Sequence, residues 1–459
     1  MTGVEVTGTG ESGLSSVLDG ARFGAVQFVV LAFTFFTLVM DGFDIQAIAF
    51  AGPALTETWG ISRSMLGPVI AAALVGMAIG AAGIGPLGDR HGRKNALIVS
   101  CLLMGVGSLA SSISSGPIEL AVFRFVTGIG LGGALPNATA LMFEFSPRRW
   151  RQIATSVALI GVPLGGMLGA AVARWLIPEF GWQALFMVGG VIPSLLAVAM
   201  WLAMPESPRY LSVRPDRARE LDALLHRLDA KARWVPAATD RVAAPKLATS
   251  SIAALFTADY RRDTLTLWVI LFTNVFAIYF FFSWLPTVLA SANLDFRISV
   301  TGSLYFNLGG VVGTLASSFI MGRLGSRPVL TAVGVGAVIS VIGIGANAVF
   351  GANSANASVS SLMWTMAAAG ACMNALQIGM FSVAANAYPT FCRSTGVGWG
   401  LAVARFGGIV SSFAGGAFFA LGMRPRQFFF FIAGMLVLTL LSVILLRRHI
   451  PPTHTEAFA

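Results

Sequence analysis

The chain has 459 residues, 56% of them hydrophobic and only 11% charged, with a formal net charge of +10. A soluble domain carries about 25% charged residues, so composition argues against a soluble core, and against nucleic-acid binding, because the basic residues gather in loops between apolar runs. Three cysteines (Cys101, Cys372, Cys392) and four histidines, all in predicted loops or the tail, supply no disulfide framework, metal site or buried histidine relay.

The first 25 residues are polar and glycine-rich with no cleavage site, and read as a cytoplasmic tail. Apolar runs of about 20 residues follow, the length that crosses a bilayer as a helix. Six are expected over 26–50, 64–88, 95–113, 118–144, 151–176 and 183–204, and six more over 264–291, 299–322, 328–349, 360–388, 394–421 and 427–446. Barrel strands alternate and are about 10 residues long, so the fold class expected is an all-α membrane protein of twelve helices. With both termini inside, cytoplasmic segments hold 23 lysines and arginines against 5 in outer loops, which sets the orientation; the membrane expected is the inner (cytoplasmic) membrane. The expected organisation is a tail over 1–25, a six-helix half over 26–204, a cytoplasmic linker over 205–263, a second half over 264–446 and a tail over 447–459. Within the linker, Leu221, Leu224, Leu225 and Leu228 repeat at helical spacing among charges, predicting a short amphipathic helix.

The halves echo one another. Pro147, Arg151 and Gly165-Gly166 recur as Pro389, Arg393 and Gly407-Gly408 at one offset of 242 residues, and Gly85-Pro86-Leu87-Gly88 finds a weaker echo in Gly322-Arg323-Leu324-Gly325. Internal repeats of this kind are typical of secondary transporters, with the cargo site between the halves near the midplane.

Two carboxylates interrupt span 1. Asp41 and Asp44 are the only charges between Arg22 and Glu57, and each costs about 2.5–3.5 kcal/mol to insert. At i and i+3 they share a helix face, and they suit a proton-handling role. Arg124 enters span 4 at a similar depth, so an Asp–Arg pair is expected there, either coupling proton to cargo or joining spans 1 and 4 permanently. Arg405, near the midplane of span 11 and at the repeat position of Pro163, offers a guanidinium fork suited to a carboxylate. Asp89, Arg90, Arg93 and Glu144 are expected to form a cytoplasmic gate that biases alternation without touching cargo.

The loop after span 2, Gly85-Pro86-Leu87-Gly88-Asp89-Arg90-His91-Gly92-Arg93-Lys94, together with Arg124-Phe125-Val126-Thr127-Gly128-Ile129-Gly130 in span 4 and Pro205-Glu206-Ser207-Pro208-Arg209 after span 6, resembles the major facilitator superfamily. Asp41-Gly42-Phe43-Asp44 with Ala134-Leu135-Pro136-Asn137 is similar to its aromatic acid/proton symporters, bacterial permeases for 4-hydroxybenzoate, protocatechuate and benzoate. The resemblance implies two pseudo-symmetric six-helix halves, a monomer in the lipid bilayer, no cofactor, and import of an aromatic carboxylate with H+. Asn137, Tyr305, Asn374 and Gln377 are further cargo-contact candidates, and Asn274, Tyr279, Phe280, Phe281, Phe282, Trp284 and Asn307 could line an apolar slot. The loop Gly322 to Pro328 lacks the acid of its first-half counterpart, so a looser latch is expected there. A porter for another organic anion, a cation or a sugar, an exporter, and a non-transporting membrane sensor or membrane-embedded enzyme are the competing readings.

Overall fold

The computed structural model describes residues 14, 18, 19, 23–228, 252–347, 359–389 and 392–452, so Arg22, much of the tails and 229–251 lie outside the described residues. Twelve helices are long and apolar enough to cross a membrane. We label them α1 (Ala25–Trp59), α2 (Leu66–His91), α3 (Arg93–Ser112), α4 (Pro117–Phe145), α5 (Arg148–Phe180), α6 (Trp182–Ala203), α7 (Arg261–Ser291), α8 (Phe296–Leu324), α9 (Ser326–Ala346), α10 (Val359–Ala387), α11 (Arg393–Ala420) and α12 (Pro425–Leu445). No strand occurs among the described residues.

Each expected span has its helix, and several helices outrun the apolar run that announced them. The first was expected over 26–50, yet α1 continues through Pro53 to Trp59 and stops where Gly60 turns left-handed at φ 61°. Hydropathy marks the lipid-facing stretch, whereas a helix ends where a residue can leave the helical basin. The turn after span 2 departs from expectation in the same way. Gly85 to His91 forms the last turns of α2, and only Gly92, at φ 103°, breaks the chain before α3.

Packing repeats with a shift of six helices. In the first half α1 packs on α5, α2 on α4, α3 on α4 and α3 on α6; in the second α7 packs on α11, α8 on α10, α9 on α10 and α9 on α12. Across the halves, α5 meets α8, α2 meets α11, and α1 meets α7. An even number of spans returns the chain to the face where it began, here called the termini face. The helix Ala218–Leu228 lies on that face, with Leu221, Leu224 and Leu225 buried against the protein.

Candidate functional site

Gly42 explains the local form of the Asp41–Asp44 segment. A side chain on it would collide with the backbone carbonyl of Val162, so its absence lets α1 lie directly against α5. That contact fixes the rotation of α1 and turns both carboxylates into the protein, Asp41 at 5% and Asp44 at 1% exposure.

Their surroundings differ. Both oxygens of Asp44 are engaged: Arg124 Nη2 donates to Oδ2 at 2.7 Å and Nη1 to Oδ1 at 3.1 Å, while Ser108 Oγ donates to Oδ1 at 3.0 Å. Arg124 Nη2 also reaches the Asp44 carbonyl at 3.0 Å, and the guanidinium stands over the Phe186 ring at 5.4 Å. Arg124 is fully buried, and a two-pronged pair of this kind is the geometry in which a buried arginine is best compensated. The Asp–Arg pair expected from depth is therefore present, and it belongs to Asp44.

Asp41 Oδ1 is buried and accepts no hydrogen bond among the described residues. The charges that act on it are those of Asp44 and Arg405, and Arg405 and Asp41 both act on Tyr279 of α7. The half-buried Arg405 donates through Nη1 to the Met77 carbonyl of α2 at 2.6 Å. One helix of the first half and two of the second thus bring together a carboxylate with a free oxygen, a phenol and a guanidinium held by a main-chain carbonyl.

Three of the other cargo-contact candidates make their contacts elsewhere. Asn137 is buried under the end of α2, donating to Ile84 and Gly133 carbonyls at 3.3 and 2.8 Å and accepting from Arg93 Nη1 at 3.5 Å. Its partners place it with the gate residues. Tyr305 meets Trp364 edge-on at 5.6 Å, and Trp364 is exposed on the outside of the bundle. Asn374 donates to the Gly370 carbonyl at 3.0 Å and packs where α8 and α10 touch. Gln377 is half-buried on α10. Phe281 stacks on Phe306 at 4.5 Å, and Phe280 on Phe428 at 4.6 Å, so those rings serve helix packing.

At the termini face, Arg93 pairs with Asp89 and lies 3.8 Å from Glu144. The Arg90 carbonyl accepts from Arg214 Nη2 at 2.7 Å. The segment after α6 completes the cluster: Ser207 Oγ donates to Glu144 at 2.5 Å, and Glu206 Oε1 accepts from the Lys94 N–H at 3.0 Å. That N–H is one of the first in α3, which have no partner inside the helix. Ser108, Glu206 and Ser207 were not singled out for these roles by the sequence reading. Glu206 and Ser207 stood in a recognisable motif, but Ser108 had no signal beyond polarity within an apolar run.

The second half latches differently. Ser326, in the repeat position of Asp89, donates its N–H to the Ile450 carbonyl at 2.9 Å and accepts from the Ile450 N–H at 2.8 Å. Arg448 lies 3.4 Å from Asp263 and over the Tyr260 ring at 4.2 Å.

The family model described as Major Facilitator Superfamily matches residues 34–350. A gallate transporter from Pseudomonas putida is 35% identical over 407 residues, covering 88% of this chain and 88% of that protein. The 4-hydroxybenzoate transporter PcaK from Pseudomonas aeruginosa is 35% identical over 419 residues, covering 90% of this chain and 91% of that one. Among solved structures, the inward-open xylose transporter XylE from E. coli superposes with a TM-score of 0.70 at 17% identity, over 94% of this chain and 98% of that chain.

Proposed function

Because the chain belongs to the major facilitator superfamily, and is a multi-pass membrane transporter rather than an enzyme, we propose that it imports an aromatic carboxylate of the hydroxybenzoate or benzoate type together with a proton. The termini face is cytoplasmic in this reading, the membrane is the inner membrane, and the cargo moves by alternating access between the halves. The transporters for gallate and 4-hydroxybenzoate that share 35% identity across most of the chain support the cargo class.

One observation carries the coupling: Asp41 is buried with a free carboxylate oxygen at the seam between the halves, within electrostatic reach of Arg405. Asp44 cannot serve equally, because protonating it would neutralise the partner of the buried Arg124 guanidinium. Asp41 therefore takes the proton. Arg405 takes the cargo carboxylate, exchanging the Met77 carbonyl for a charged acceptor that suits its fork. Tyr279, on which both charges act, adds an aromatic ring to the same region. Asp44 and Arg124 hold α1 and α4 together as the frame for Asp41.

Uptake of labelled 4-hydroxybenzoate into proteoliposomes, with and without an inward proton gradient, tests the reading. Accumulation is expected only with the gradient, and Asp41→Asn is expected to abolish accumulation while keeping exchange of internal for external cargo. Uptake indifferent to the gradient sinks the coupling, and no uptake of any ring carboxylate sinks the cargo class.

A further inference from the structure

The repeated glycine pair of α5 and α11 marks two contacts between the halves that are built from different chemistry. At the first, α1, α5 and α8 converge. Gln46 Nε2 donates to Asn307 Oδ1 at 3.0 Å, and Asn307 Nδ2 donates back to Gln46 Oε1 at 2.9 Å. Asn307 Nδ2 also reaches the Ser303 carbonyl at 2.9 Å, so both of its protons are used. Gln46 and Asn307 are buried. Gly166 forms the floor of the pair: a Cβ there would run into the Gln46 amide and come within 3.0 Å of Asn307 Oδ1. At the second contact, Gly408 meets the Tyr279 ring and the Leu74 side chain of α2. There the glycine meets only apolar side-chain atoms, and one turn away the same seam carries the single Arg405–Met77 bond, whereas two antiparallel amide bonds hold only at one separation and angle.

We propose that the Gln46–Asn307 amide pair is the clasp that holds the far face shut, and that it is broken and remade in each transport cycle. Gln46 lies five residues beyond Asp41 along α1, about 7.5 Å nearer the far face. Other seams on that side, among the described residues, are close approaches: Gly67 against the Ser412 carbonyl, Gly52 against Thr287, and Arg63 over the Phe419 ring at 5.8 Å. Spans α1 and α8 belong to opposite halves, so the pair spans the boundary that must part when the far face opens. An amide pair fits this duty better than an ion pair. Its bonds are directional when dry, and when the path floods water replaces them at small net cost. Removing one partner alone leaves a buried, unpaired amide and penalises the closed state.

The proposal rests on the chain alternating between two faces, and not on the identity of the cargo or on coupling, so it is tested without either. In protein whose three native cysteines are replaced by serine or alanine, a reporter cysteine at Ser412, buried at the α2–α11 seam, is labelled by a maleimide in detergent only while the far face is open. Gln46→Leu and Asn307→Leu are each expected to raise the labelling rate about tenfold, the equivalent of roughly one or two hydrogen bonds. The double Leu variant is expected to fall back towards the parent, since two apolar groups leave nothing unpaired. Gly166→Ala, which wedges the pair without removing it, is expected to act like the single variants. Thermal unfolding of each variant reports folding independently, and Gln46→Asn, which shortens one partner but keeps its amide, serves where a leucine variant does not fold. Labelling unchanged by the single variants and by Gly166→Ala overturns the clasp, whatever happens to cargo binding.

Discussion

Asp41 and Asp44 are three residues apart on one helix face, and the structure gives them different surroundings. Asp44 spends its oxygens on Arg124 and Ser108, while Asp41 keeps one free. The difference arises from what faces each carboxylate rather than from α1 itself: Arg124 on α4 and Ser108 on α3 converge on the one nearer the far face. Breaking a buried ion pair by removing one partner costs about 3–5 kcal/mol, because the other charge is left uncompensated. Asp44→Asn is therefore expected to lower the thermal unfolding temperature in detergent markedly. Asp41→Asn, which removes no hydrogen bond to Oδ1, is expected to leave it nearly unchanged and to affect accumulation alone. Equal thermal losses in the two variants would contradict this division. The presence of two buried carboxylates and their shared face were legible in the sequence, as was a guanidinium at their depth. Which carboxylate the arginine takes was not legible, since a difference of three residues, about 4.5 Å along the axis, is smaller than the uncertainty of a span boundary read from hydropathy.

The elbow between α2 and α3 shows how an element acquires a functional end. Gly92 turns the chain at φ 103°, which leaves the first N–H groups of α3 pointing at the segment after α6, where Glu206 caps Lys94. Burial holds the Glu206 carboxyl above the ordinary carboxylate range, against the opposing effect of hydrogen bonds from Lys94 and Ser207 N–H and of the Arg217 and Lys94 charges. The folded chain then binds a proton at Glu206 more readily than the unfolded chain. The stability linked to it is fully present below the unfolded value and is lost as pH rises from about 4.3 through the folded value. Glu206→Gln keeps an oxygen to accept both N–H groups and never ionises. It is expected to flatten the fall in unfolding temperature across that interval, and a slope identical to the parent's would show that Glu206 does not titrate there. The twelve helices were legible as apolar runs, but this capping was not. It depends on a residue 112 positions away in sequence, brought close only by the α3–α6 packing. The latch of the second half was hidden for the same reason: its loop lacks an acid, and the chain beyond α12 supplies Arg448 and Ile450 to Asp263 and Ser326 instead.

At the scale of the whole molecule, two seams join the halves by hydrogen bonds of different reversibility. The amide pair of Gln46 and Asn307 closes the far side, and Arg405 of α11 reaches across to the Met77 carbonyl of α2 nearer the centre. A main-chain carbonyl is a neutral acceptor, so an anionic carboxylate competes for the guanidinium with a stronger, charge-assisted bond. In the proposed cycle, cargo binding releases one tie between the halves as it fills the site, which is the differential contact that a population shift requires. This makes the shape of the cation matter and not its charge alone. Arg405→Lys keeps the charge but has no planar fork to hold both oxygens of a carboxylate. It is expected to weaken 4-hydroxybenzoate binding about tenfold or more, the loss of roughly one charge-assisted hydrogen bond, with Arg405→Ala weakening it further. Isothermal titration of the purified variants reads both. If lysine binds cargo as tightly as arginine while alanine does not, the cation acts only through its field and the exchange with Met77 is not part of the cycle. If all three bind alike, the carboxylate is held elsewhere, and Arg405 is a tie between the halves and nothing more.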